Sequence, residues 1–296
     1  MAEVARPLAR AVTRPALRRR SLGVRLLTNQ RVVVGAAVLL ITFAMAIFAD
    51  VLSPYAPNAQ VLGDRLAGPS AAHPFGNDHL GRDVLSRVIF GARVSLGVGF
   101  SSVAITIVIG TVIGVAAGFF GRWTDNILMR FVDVFISIPV FMLLLTVVAI
   151  YGSSVGLLVA FIGISAFPGA ARIVRAEVLS LMPRDFILAA RVVGASPMRI
   201  MVRHLTPNLL PVIIVSATLR VGAAILTEAG LSYFGLGVPP PAPTWGGMVA
   251  DGRTFLDVAW WVSTFPGFAL LIVVVATNLV GDGLRDVFDP RRAHLA

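Results

Sequence analysis

Six apolar runs, each long enough to cross a bilayer, limit what this chain can become: Val32 to Ala49, Val94 to Phe120, Ile127 to Tyr151, Val155 to Ala171, Leu209 to about Gly230, and Ser263 to Val280. At about 20 residues per span they use around half of the chain. Hydrophobic residues make up 57% and charged residues 14%, against about 45–50% and about 25% for a soluble domain. The expected fold class is therefore an all-α integral membrane protein with six transmembrane helices. Ala44 and Ala46 resemble a signal-peptidase site and Arg19-Arg20 a twin-arginine signal. A leader ending there is too long, and further spans follow, so the first run reads as a span.

Two absences narrow the chemistry. No cysteine is present, which excludes disulfides, thiol catalysis and cysteine-ligated zinc. No lysine is present either; all 25 basic residues are arginine. A phosphate loop needs its lysine, so this chain carries no standard P-loop, and any ATP that drives it is hydrolysed elsewhere. The net charge of +10 does not point to nucleic acid, because in a membrane protein the position of the charges carries the information.

With the N-terminus inside, 19 of the 25 arginines fall on the cytoplasmic side, five outside (Arg65, Arg82, Arg87, Arg93, Arg253) and Arg220 within a span. The positive-inside rule favours that orientation. The expected organisation is an arginine-rich cytoplasmic tail (1–31), a six-span domain (32–280) and a cytoplasmic C-terminal tail (281–296). The external loops are 50–93 and 231–262, and a long cytoplasmic loop is 172–208. The outer segment LGRDVLSRVIFGAR puts Leu80, Val84, Leu85, Val88 and Ile89 on one helical face, which predicts an amphipathic helix on the outer membrane surface. Gly110, Gly114 and Gly118 make a flat stripe that admits another helix, from this chain or from a partner subunit.

The cytoplasmic loop is longer than a helix connection needs. Pro183 suits a helix start, Gly194 interrupts, and Ser196-Pro197 signals a second short helix to Leu205 that Pro207 ends. Met198, Ile200, Met201, Val202 and Leu205 lie among Arg199, Arg203 and His204. That composition suits either a piece docked in a partner's groove or an interfacial amphipathic helix.

FILAARVVGASPMRIMVRHLTPN resembles the EAA loop of permease subunits in ABC importers: Ala189, Ala190 and Gly194 match, while Leu188 replaces the glutamate and Thr206 a leucine. HPFGNDHLGRDVLSRVIFGARVSL, EAGLSYFGLGVPPPAPTWGGM and WWVSTFPGFALLIVVVATNLVGDGLRDVFDPR are similar to the C-type permease of dipeptide, oligopeptide and nickel importers, so the likeness runs from about residue 30 to Arg292. The resemblance implies a type I importer in the cell (inner) membrane. Its other parts are a B-type permease, two ATPase subunits that carry ATP and Mg2+, and an extracytoplasmic substrate-binding protein. It implies no cofactor bound by this chain and no catalysis by it. It also implies that Gly194, Ala195, Ser196, Pro197 and Met198, flanked by Ala189, Ala190 and Arg199, couple to an ATPase groove. A nickel or glutathione importer, and a self-sufficient secondary transporter, are the competing functions.

Several charges fall in or near spans. Arg220 lies 11 residues beyond Leu209, about 16 Å along a helix, and a central arginine needs water or a partner. It either attracts a peptide carboxylate in the translocation path or closes a structural salt bridge. Glu228 is a candidate for the outer gate, the binding-protein dock or packing. Arg130 and Asp133 are spaced to pair on one helix face. Trp245, Trp260 and Trp261 read as interfacial anchors. His73, His79, Asp78 and Asp83 lack the compact spacing of a metal motif, and no metal site is expected.

Overall fold

The computed structural model describes residues 22–288; most of the arginine-rich tail and the last eight residues lie outside that range. The chain is built from helices: α1 (Leu22–Thr28), α2 (Gln30–Ile47), α3 (Ala49–Leu52), α4 (Val84–Phe120), α5 (Arg122–Ser137), α6 (Val140–Tyr151), α7 (Val155–Leu181), α8 (Asp185–Val192), α9 (Pro197–Arg199), α10 (Thr206–Tyr233), α11 (Trp245–Gly252) and α12 (Trp261–Phe288). Five stretches are each long and apolar enough to cross a membrane: α2, α4, α7, α12 and the run Pro197–Tyr233 that contains α10. The pair α5–α6 qualifies as a sixth only when its two halves are taken together.

That third span is not the straight helix the apolar run suggests. It bends by 76° between α5 and α6. Pro139 has no N–H to give and crowds the residue before it, so Ile138 takes φ −89°, ψ 126°, an extended conformation that ends α5. A second departure concerns the outer segment. From Val84 onward it is the first part of the 37-residue helix α4, capped by Asp83, whose carboxylate accepts the Ser86 N–H at 2.7 Å. Val84, Val88 and Ile89 are buried, and Trp245 of the 231–262 connection donates to the Val88 carbonyl at 3.0 Å, so this helical face meets protein instead of lipid. The nearby arginines are met by the chain as well: Arg87 donates to the Pro57 carbonyl at 3.1 Å and Arg93 pairs with Asp50 at 2.9 Å.

The most extensive helix pair is α4 with α7. A methyl group on Gly110 would stand 2.5 Å from Ala170 Cβ, on Gly114 2.6 Å from the Ala171 carbonyl oxygen, and on Gly118 2.8 Å from Val178. The stripe therefore lies against α7 of the same chain, with no room for a side chain. Higher up, Gly163 of α7 meets Ser102 and Ile105 of α4. Contacts advance together along both helices, so α4 and α7 run parallel. At the ends, Arg31 of α2 pairs with Asp286 of α12 at 3.4 Å, and Asn29 donates to the Gly283 carbonyl at 3.4 Å.

Candidate functional site

The segment between α7 and α10 is built as a rigid bracket. Gly194 sits at φ +80°. The Gly194 N–H donates to the Arg191 carbonyl at 2.9 Å and the Ala195 N–H to the Ala190 carbonyl at 3.0 Å. Those two bonds make a Schellman ending for α8, with glycine in the left-handed position that other residues resist. Ser196 then caps α9, its hydroxyl accepting the Arg199 N–H at 3.4 Å.

Pro207 does not stop the helix that follows. Residues Ile200–Leu205 form one wider π turn that runs without a break into α10. Pro207 cannot donate and would clash with the carbonyl four residues back. The wider turn accommodates it: the Thr206 N–H reaches the Met201 carbonyl, five residues away. Two side chains serve carbonyls here, Thr206 Oγ1 donating to Met201 at 2.9 Å and Asn208 Nδ2 to His204 at 2.7 Å.

One face of the bracket is anchored. Ile187, Ile200, Leu205 and Leu209 are buried with Val178 and Leu181 of α7, and the Arg191 guanidinium lies 5.9 Å from the ring centre of Phe119 at the end of α4. The opposite face is apolar and open: Val192 and Val193 are each 87% exposed and Met198 65%. Leu188, which stands where the EAA pattern has glutamate, lies on the exposed side at 46%. Ala189, Gly194, Ser196, Pro197 and Arg199 are also exposed, while Ala190 and Ala195 are half-buried where the bracket meets the rest of the chain. Two valines at a helix end, next to a glycine turn, therefore form a compact exposed apolar patch.

The charges within the spans have the following partners. Arg220 donates to Ser216 Oγ at 3.1 Å and to the Ala166 carbonyl of α7 at 3.3 Å. Among the described residues it has no carboxylate partner. Glu228 is fully buried; its Oε1 accepts from Ser232 at 2.7 Å and its Oε2 has no hydrogen-bond partner. Arg220 and Glu228 are not brought together. Asp133 pairs with Arg172 of α7 rather than with Arg130, and Arg175 of α7 grips Asp125 of α5 with two hydrogen bonds. Local spacing contains no sign of these cross-helix pairs.

Of Trp245, Trp260 and Trp261, two are internal pins instead of interfacial anchors. Trp245 and Trp261 are 1% and 8% exposed, and their indole N–H groups donate to the Val88 and Asn77 carbonyls at 3.0 and 3.1 Å. Only Trp260, at 52% exposure, is placed to meet an interface. Three of the four acidic and histidine residues are bonded within the fold, His73 Nδ1 meeting Asp83 at 2.9 Å and Asp78 binding the Arg82 side chain at 2.6 Å, while the His79 ring stacks on Phe255 with its Nδ1 buried and unpartnered.

A helical membrane domain with an exposed bracket between two spans is the architecture of an importer permease. Residues 110–294 match the family of binding-protein-dependent transport system inner membrane components, and residues 20–69 match the N-terminal TM domain of oligopeptide transport permease C; the chain belongs to this family of multi-pass inner membrane transport components. Among its relatives is the dipeptide transport system permease protein DppC of Alkalihalophilus pseudofirmus, 41% identical over 89% of this chain and 86% of the relative. The di/tripeptide permease DppC of Pseudomonas aeruginosa is 41% identical over 87% of each chain. The glutathione permease GsiD of Pectobacterium atrosepticum is 41% identical over 89% of this chain and 88% of the relative. The fold is similar to that of the MetNI methionine ABC transporter solved in inward facing conformations, with a TM-score of 0.56 and 25% identity over 69% of this chain and 98% of that one.

Proposed function

We propose that this chain forms half of the translocation path of an ATP-driven importer of dipeptides or oligopeptides. A B-type permease supplies the other half, two ATPase subunits dock beneath and carry ATP and Mg2+, and an extracytoplasmic binding protein delivers the cargo. The observation that carries this reading is the bracket, whose outer face exposes Val192, Val193 and Met198 while its inner face is locked to α7 and α10. An ATPase cleft that closes on nucleotide and holds those side chains would turn both helices together, which is what alternating access requires. The relatives named for dipeptide and di/tripeptide transport support a peptide cargo. Specificity for peptide length resides in the binding protein. The arginine distribution supports cytoplasmic placement of the bracket and of both termini. Arg220 and Glu228 belong to the path and its outer gate.

The test is mild-detergent purification of the tagged chain from its native membrane, after cross-linking, with mass spectrometry of what stays bound. A second permease and ATPase subunits are the expected company, and proteoliposomes of that complex should take up a radiolabelled dipeptide only with ATP and the binding protein. Recovery of this chain alone, with uptake driven by an ion gradient, would replace the importer with a secondary transporter.

A further inference from the structure

Three features that are far apart in sequence meet at one depth. Arg220 sits near the middle of α10, the α5–α6 break at Ile138-Pro139 near the middle of the third span, and Ser165–Gly169 near the middle of α7. Arg220 reaches the Ala166 carbonyl, and its guanidinium lies over Gly169, where a methyl group would come within 2.9 Å of it. A small cleft beside the helix break is lined by Phe135, Ile138, Val140, Leu143 and Ser165. Ser165, Ala166 and Gly169 are all partly exposed, so the arginine and the broken backbone open onto one side of α7.

Neither feature tolerates hydrocarbon. Non-helical backbone at membrane depth persists only where protein or a water-filled cavity meets it, and Ile136, Ser137, Ile138 and Pro139 are exposed in this chain. A cationic side chain at mid-span needs water or an anion, and among the described residues Arg220 has two neutral acceptors, Ser216 Oγ and the Ala166 carbonyl, and no anion. Interrupted spans beside a fixed charge mark binding loci in transporters because freed backbone groups and charge can coordinate a polar cargo there. We infer that Arg220, the Ser165–Gly169 face of α7 and the break at Ile138-Pro139 form a mid-membrane locus that receives the carboxylate of the cargo as it passes. Arg220 supplies the charge, and the absence of a side chain at Gly169 leaves its guanidinium room to lie against α7. This inference rests on the peptide-importer reading for the identity of the cargo, but the anion locus itself does not.

The absence of cysteine from the chain makes the locus testable with single thiols in the assembled complex, its partners stripped of accessible cysteine. Ser165→Cys should react with water-soluble methanethiosulfonates, and Val112→Cys, exposed on the far part of α4, serves as the lipid-facing control. With Arg220 present, the anionic sulfonate reagent should outpace the cationic ammonium reagent by about tenfold, the size of effect one nearby charge produces. Arg220→Gln should erase that preference and Arg220→Lys should keep it. In proteoliposomes, Arg220→Gln should cut dipeptide uptake by roughly tenfold while binding-protein-stimulated ATP hydrolysis stays within about twofold. Gly169→Ala, which displaces the guanidinium without removing it, should fall between. No charge preference in labelling, or normal uptake by Arg220→Gln, would overturn the locus. So would loss of the assembled complex in both Arg220→Gln and Arg220→Lys, which would assign the arginine to an ion pair with the partner permease. A charge-selective Ser165→Cys in a wild-type complex that takes up no dipeptide would leave the locus standing and remove the peptide cargo.

Discussion

At Gly194 the backbone, not the available space, demands glycine: φ is +80°, yet no atom lies within 4 Å of the position a Cβ would take. Two substitutions therefore separate local strain from interference with a partner. Gly194→Ala should cost about 1–2 kcal/mol of local stability and leave most transport intact. Gly194→Arg adds the same strain plus a long side chain between Val193 and Met198. It should insert and express normally, yet lose ATP-dependent uptake by roughly thirtyfold or more, the scale of a spoiled interface centre. Uptake and membrane abundance measured together decide this, and normal coupling in a well-expressed Gly194→Arg complex would remove the docking assignment. The glycine was legible in the sequence as an interruption between two short helices. Its Schellman geometry is consistent with the same residues, because a glycine just after a helix end readily takes the left-handed conformation that returns the Gly194 and Ala195 N–H groups to the Arg191 and Ala190 carbonyls.

Between elements, geometry depends on where prolines fall relative to carbonyls, and here sequence reading was least complete. The apolar runs marked where the spans are because lipid exposure demands them. Pro139 and Pro207 are both visible in the sequence, but their outcomes differ: the first breaks a span and the second sits in a continuous helix behind a π turn. Only the surroundings settle which occurs, because Thr206 and Asn208 provide hydrogen bonds at the second site. The π turn holds the bracket at a fixed rotation relative to α10. Pro207→Ala restores the missing donor and permits ordinary α-helix, which would rotate everything before it by about 100°. The complex should still assemble through the membrane helices, with fewer cargo molecules moved per ATP hydrolysed; an unchanged ratio would mean that the turn's width is incidental. The ion pairs tying α5 to α7 were invisible for a different reason, since Asp125 and Arg175 are separated by 50 positions and meet only after folding. A double-mutant cycle on Asp125→Ala and Arg175→Ala, read by thermal unfolding in detergent, should give a coupling of about 0.5–2 kcal/mol. Purely additive losses would show that the two bonds contribute nothing beyond solvation.

For the whole molecule, the number of crossings follows from the packing of α4 against α7. Because the two helices run parallel, the chain leaves α4 at one membrane face and enters α7 at the other. The bent pair α5–α6 must therefore traverse the bilayer, and a re-entrant loop is excluded. With that crossing counted, the chain crosses six times, and α2 and α12 bring their ends to the same face, as the Arg31–Asp286 pair requires. Packing alone does not say which face that is; the positive-inside rule, applied to the arginine distribution, predicts the cytoplasmic one. The absence of cysteine again makes the question direct. Ala71→Cys lies on the exposed part of the 53–83 connection and Arg184→Cys on the exposed part of the bracket, on opposite sides of the six-span bundle. In intact cells stripped of their outer barrier, a membrane-impermeant maleimide should label Ala71→Cys and spare Arg184→Cys, and inside-out vesicles should give the reverse. Labelling of both from one side would break the six-crossing count. A clean exchange of the two would keep the fold, invert the protein, and leave the bracket facing a compartment where no ATPase could hold it.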